Sequence, residues 1–159
     1  MSCPICSWTS EDPDYLLVQV TQYWRICLAP NQSLLGRCVI SLKRHAGDLA
    51  NLTEPELLEF LVVVRKLESS LKTSFGASMF NWACYMNHAY RETPPNPHIH
   101  WWGVPRYDRS VEFGGLRFED PHFGNPYDHY RVIHLPRALR LEIVENMKTH
   151  LLSLKENSI

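Results

Sequence analysis

Asn96-Pro97-His98-Ile99-His100-Trp101-Trp102 is the stretch on which the reading turns. Polar and apolar residues alternate through it. On a strand, residues two apart face the same side, so His98, His100 and Trp102 are expected to project together. Arg91 to Pro97 holds three prolines and is read as a loop, which leaves one end of that face accessible. A neutral imidazole near pH 7 is a metal ligand, a base or a nucleophile. The same residues also fit two histidines satisfied within a half-buried strand.

Ile99 to Val104 reads as the strand that carries this motif, with Met79 to Met86 as another strand before it. Further upstream, Tyr15 to Val20 and Trp24 to Ala29 form a hairpin candidate around Thr21-Gln22-Tyr23, and Arg37 to Leu42 is a third strand. A long helix is announced by Thr53 as N-cap, Pro55 in the first turn and Glu56 to close a capping box. Leu57, Leu58, Leu61, Val64, Leu67, Leu71 and Phe75 follow at helical spacing, with Arg65, Glu68 and Lys72 on the polar side, and Gly76 stops the helix. Downstream, Gly114-Gly115 and Phe118 to Tyr127 read as irregular. Leu135-Pro136 opens a last helix with Leu139, Ile143, Met147 and Leu151 on one face. Strands, helix, strands, helix predicts an α+β fold with a mostly antiparallel sheet, one long central helix and a C-terminal helix.

The chain has 159 residues and 18.5 kDa, one domain's worth. Apolar residues are 45% and charged residues 21%, which excludes disordered, collagen-like and coiled-coil classes. No apolar run approaches the roughly 18 residues of a membrane span, and no signal-peptide core stands at the start. A cytoplasmic protein without a membrane partner is expected. Net charge is -1 and the pI about 6.7, so no global basic field invites long nucleic acid. The short basic cluster Lys43, Arg44 and His45, with Arg37 nearby, leaves a small anionic ligand open.

Five cysteines are an odd count for a disulfide scaffold. Cys27, Cys38 and Cys84 lie in apolar strand-like runs, where buried thiols are common. Cys3 and Cys6, with two residues between them, point to metal or redox chemistry in a reducing compartment. A structural zinc wants four such ligands. His45 and one of the paired histidines are candidates to complete it, and spacing alone does not choose between them.

Several blocks together resemble the histidine triad family of nucleotide hydrolases and transferases. Leu35-Gly36-Arg37-Cys38-Val39-Ile40-Ser41-Leu42-Lys43-Arg44-His45 is similar to its glycine, apolar strand and Pro-Lys-Arg-His segment, with Leu42 where proline is usual. Asp48-Leu49 and Leu52-Thr53 continue that pattern. His98 to Arg106 is similar to its alternating histidine motif with a trailing Pro-Arg. Phe118-Glu119-Asp120-Pro121 resembles a bacterial diadenosine tetraphosphate hydrolase-like branch.

The resemblance implies a single domain over 1–159, with 1–10 as a zinc-anchored segment and 108–159 as a C-terminal extension with a helix. It implies that His100 is a catalytic nucleophile that attacks the α-phosphorus of a nucleotide, forming a nucleotidyl-histidine that water or another acceptor resolves. It makes Cys3, Cys6, His45 and His98 the ligands of a structural zinc. It offers Asn87, Asn96, Trp102 and, for the ribose, Asn31 as substrate-binding candidates. A nucleotide or dinucleoside polyphosphate is the implied substrate, and a homodimer the implied assembly. His88, His122, His129, His134 and His150 are read as surface or satisfied side chains. Two departures stand out. Trp102 occupies the third triad position, where related uridylyltransferases carry glutamine, and a Trp donates one N–H and accepts nothing. Pro94 and Pro95 replace a usual Gln-Ser pair. The alternative implied by these changes is a non-catalytic, zinc-stabilised nucleotide-binding module; a zinc-stabilised structural or interaction protein is a third.

Overall fold

Alternating apolar residues build the sheet. In the computed structural model, which describes residues 3–9 and 12–153, β1 spans Leu16–Val20, β2 Trp24–Leu28, β3 Cys38–Leu42, β4 Met79–Ala83 and β5 His100–Arg106. They form one antiparallel sheet in the order β1-β2-β3-β5-β4. The fold is α+β, as expected. The sequence boundaries hold to within a few residues; β4 ends at Ala83 rather than Met86. Parts of two expected segments, residues 1, 2 and 10 at the start and 154–159 at the end, lie outside the described residues.

Helix α1, Glu54–Phe75, begins where the capping box places it: the Glu56 carboxylate accepts the Thr53 N–H at 2.8 Å. It ends on Gly76, whose φ of 73° is left-handed, a conformation glycine adopts without steric cost. Its buried face differs from the expected one. Phe60, Val63, Leu67, Leu71 and Phe75 are buried, while Leu57, Leu58 and Leu61 are 54%, 66% and 45% exposed. Adjacent leucines allow more than one apolar stripe, and the largest side chain settles the choice. Phe60 stacks on Trp101 at 4.8 Å and meets Trp82 and Trp24 at 5.8 and 5.1 Å. Burying a Phe among three indoles outweighs burying Leu57 or Leu58 alone.

Helix α2, Arg137–Ser153, packs against α1 and β1. Ile143, Met147 and Leu151 are buried as expected and Leu139 partly so. The region around Gly114-Gly115 is not irregular: β6, Val111–Phe113, and β7, Leu116–Phe118, form a hairpin. Both glycines have positive φ, 58° and 74°, which the tight two-residue turn requires. No helix among the described residues is long and apolar enough to cross a membrane. Trp101 faces α1 through Phe60, so its neighbours His100 and Trp102 project from the opposite face of the sheet.

Candidate metal centre and catalytic face

Cys3 and Cys6 reach the sheet through a short turn that Arg25 holds, its guanidinium donating to the Ile5 carbonyl at 3.2 Å. Both sulfurs lie 3.3 Å from His98 Nδ1, and Cys6 Sγ lies 3.5 Å from His45 Nδ1. The four ligand atoms all fall within 4.8 Å of one another. A zinc tetrahedron with bonds of roughly 2.0–2.3 Å has edges of roughly 3.3–3.8 Å, which these separations approach. Ring orientation agrees. His98 Nε2 lies 2.7 Å from the buried Leu42 carbonyl and donates to it, which leaves the Nδ1 lone pair facing the thiols. Such a backbone anchor is how ligating histidines are oriented. Two soft sulfurs and two imidazoles make a closed Cys₂His₂ set that fits a structural zinc ion.

His100 follows two residues on. Its Nδ1–H donates to the His98 carbonyl at 2.8 Å, so Nε2 keeps a free lone pair. Burial holds the ring's pKa below its ordinary value, the His98 bond raises it somewhat, and the nearby His88 lowers it again. The neutral, nucleophilic tautomer is therefore favoured. Ser41 sits directly across the ladder from His100, and its buried Oγ has no partner among the described residues. Trp102, paired with Val39, meets the His100 ring edge-on at 6.2 Å. The Arg37 guanidinium lies over the indole, 4.6 Å from its centroid.

The candidate substrate residues separate into two groups. Asn87 is exposed and opens a 3-10 turn, Asn87–Arg91, whose His88 acts on His100. Asn96 lies partly buried in the loop that leads into β5. Asn31 is engaged elsewhere. Its amide donates to the Arg131 carbonyl at 3.1 Å and accepts from the Ser33 and Ile133 N–H groups at 3.0 and 3.1 Å, tying the C-terminal segment to the β2–β3 loop. Sequence reasoning set His88 aside and passed over Ser41. Only strand register reveals Ser41, and the proximity of His88 depends on a loop path that no sequence pattern encodes.

Neither a family model nor a curated protein matches the sequence. Solved structures do match the fold. A zinc-bound histidine triad family protein from Mycobacterium smegmatis aligns with a TM-score of 0.62 at 20% identity, over 96% of this chain and 95% of that one. A histidine triad nucleotide-binding protein from Sulfolobus tokodaii strain 7 gives 0.69 at 14% identity, over 96% and 94%. A uridylyltransferase gives 0.63 at 17% identity, over 98% of this chain and 46% of that chain. The chain thus has the fold of histidine triad proteins.

Proposed function

We propose that this protein is a nucleotide hydrolase or nucleotidyl transferase that acts at an α-phosphate through a nucleotidyl-His100 intermediate. The observation that carries the reading is the 2.8 Å bond from His100 Nδ1–H to the His98 carbonyl, which leaves the Nε2 lone pair free on a half-buried, uncharged ring. The Nε2 lone pair attacks phosphorus, a P–N bond forms, and the P–O bond to the leaving group breaks. Water or another acceptor then breaks the P–N bond and restores the neutral ring. Ser41, Asn87 and Asn96 are the polar groups proposed to position the phosphate, and Trp102 forms one wall. Asn31 is left out, because its amide is engaged. Dinucleoside polyphosphates and related nucleotides are the proposed substrates.

Zinc on Cys3, Cys6, His45 and His98 supplies a structural cross-link and leaves no position open for water. The module without catalysis remains the second reading, favoured by Trp102, which cannot move a proton. A homodimer is proposed through the exposed Leu57, Leu58, Leu61 and Val62 and the edge strand β4; light scattering that shows a monomer at micromolar concentrations would overturn it. The catalytic reading is tested with α-labelled nucleotides: an acid-labile adduct on His100 supports the enzyme, and binding without an adduct supports the module.

A further inference from the structure

Two arginines are buried among the described residues, and they are treated in opposite ways. Arg106, 1% exposed, uses all its donors: Asp120 takes a bidentate pair at 2.6 and 3.0 Å, and Asn81 Oδ1 with the Asn125 and His122 carbonyls takes the rest at 2.7–2.9 Å. It ties down the segment after β7. Arg37, 9% exposed, has no carboxylate and makes no side-chain hydrogen bond among the described residues; its Nε is fully enclosed without a partner. Its neighbours are rings, Trp102 at 4.6 Å and Tyr127 at 5.6 Å. A buried charge with unmet donors is costly unless something pairs with it.

The position of Arg37 is built rather than accidental. Gln32, wholly buried, bonds the Ala29 and Arg37 carbonyls through Nε2 at 2.7 and 3.0 Å and accepts the Gly36 N–H at 2.8 Å. Gly36 turns the chain with a φ of 84°, and a Cβ there would strike Leu71 at 2.5 Å. This clamp delivers Arg37 to the start of β3, two residues before Val39, hence on the face that carries Trp102 and His100. Arg106 in turn holds the segment that places Tyr127 beside it.

We propose that Arg37 is a specificity-determining residue that takes a second phosphate of the substrate, beyond the one attacked by His100. This rests on the nucleotide reading above and deepens it: the preferred substrates carry a polyphosphate chain rather than a single phosphate. A guanidinium stacked on an indole keeps its in-plane donors for bidentate contact with phosphate oxygens. Desolvation strengthens that contact, and the same burial lowers the Arg37 pKa from its ordinary value without discharging it.

The zinc-loaded full chain is titrated by calorimetry with a nucleoside monophosphate, the matching diphosphate and inorganic pyrophosphate. Wild type is expected to bind the diphosphate about tenfold or more tightly than the monophosphate and to bind pyrophosphate measurably. Arg37→Gln is expected to lose that ratio and the pyrophosphate binding, with monophosphate affinity changed less than about threefold; Arg37→Lys keeps part of the ratio. An unchanged ratio in Arg37→Gln overturns the inference, and an adduct on His100 in that same variant shows that the nucleotide reading survives it. Pyrophosphate binding lost in Arg37→Gln, with no nucleotide bound by wild type, leaves the anion site standing and removes the nucleotide reading. Should Arg37→Gln not fold, the wild-type Arg37 Nη–H resonances decide: a downfield shift with pyrophosphate supports the contact, and no shift overturns it.

Discussion

His98 carries two tasks on one residue: its ring faces Cys3 and Cys6 at 3.3 Å, and its backbone carbonyl receives the Nδ1–H of His100 at 2.8 Å. A metal bound by the ring therefore bears on the orientation of His100, the proposed nucleophile, through a single peptide unit. Purified protein is expected to hold about one zinc per chain. The Cys3→Ser, Cys6→Ser double variant is expected to lose it by elemental analysis, to melt lower and to form the His100 adduct more slowly. Full zinc retention in the double variant would falsify the ligand assignment.

His100→Ala is expected to abolish adduct formation and turnover while nucleotide binding stays within a few-fold of wild type. In the proposed mechanism the imidazole makes the new bond and other groups hold the phosphate. Calorimetry alongside the adduct assay separates the two effects. Binding lost together with the adduct would assign His100 to the pocket wall instead.

Arg44 secures the loop next to His45. Its guanidinium donates to Glu56 at 2.8 Å and to the Asn51 carbonyl. The pairing with Arg44 pulls the Glu56 pKa from 4.5 to about 2, against burial that acts upward. A carboxyl depressed in the folded state stabilises fully above its unfolded value and loses that contribution as pH falls from about 4.5 toward 2. Arg44 is 45% exposed, so solvent screening cuts the ion pair's share. Glu56→Gln, whose amide oxygen still accepts the Thr53 N–H, is expected to cost about 1 kcal/mol at pH 7 through the lost ion pair, and the gap from wild type is expected to close in melts taken from pH 5 down to pH 2.5.

The order of strands and helices was legible because period-2 and period-3.6 patterns and the Thr53 to Glu56 cap are local signals. The residues alone point to Cys3, Cys6, His45 and one of the paired histidines as a zinc set. The choice of His98 over His100 comes only through the resemblance, since the members lie on three separated segments. The buried face of α1 was misread because Leu57 and Leu58 look as apolar as Phe60, and the choice depends on where Trp82 and Trp101 stand in space. The unpartnered state of Arg37 has no sequence signature at all. It follows from a face built by β3, β5 and the segment near Tyr127 that brings no carboxylate of the described residues to Arg37.

Asp120 neutralises Arg106 at 2.6 Å with both side chains almost fully enclosed. Removing one partner leaves an uncompensated buried charge. Asp120→Ala is expected to cost about 3–5 kcal/mol in denaturant unfolding, and to weaken diphosphate binding as well, because Tyr127 loses its anchor. A loss under about 1 kcal/mol would mean that the carbonyls of His122 and Asn125 suffice for Arg106.

Trp102→His tests whether the third triad position limits the rate. An indole donates one N–H and cannot pass a proton, whereas a histidine there offers both a donor and an acceptor. A well-placed general acid contributes on the order of 10²–10⁴-fold, but the smaller ring leaves part of the indole's space empty and removes the surface on which Arg37 lies. The expected outcome is a rise in single-turnover rate of about tenfold, well short of that range, together with weaker diphosphate binding. A slower variant with unchanged diphosphate affinity would show that Trp102 itself shapes the reacting geometry and that Arg37 does not depend on it.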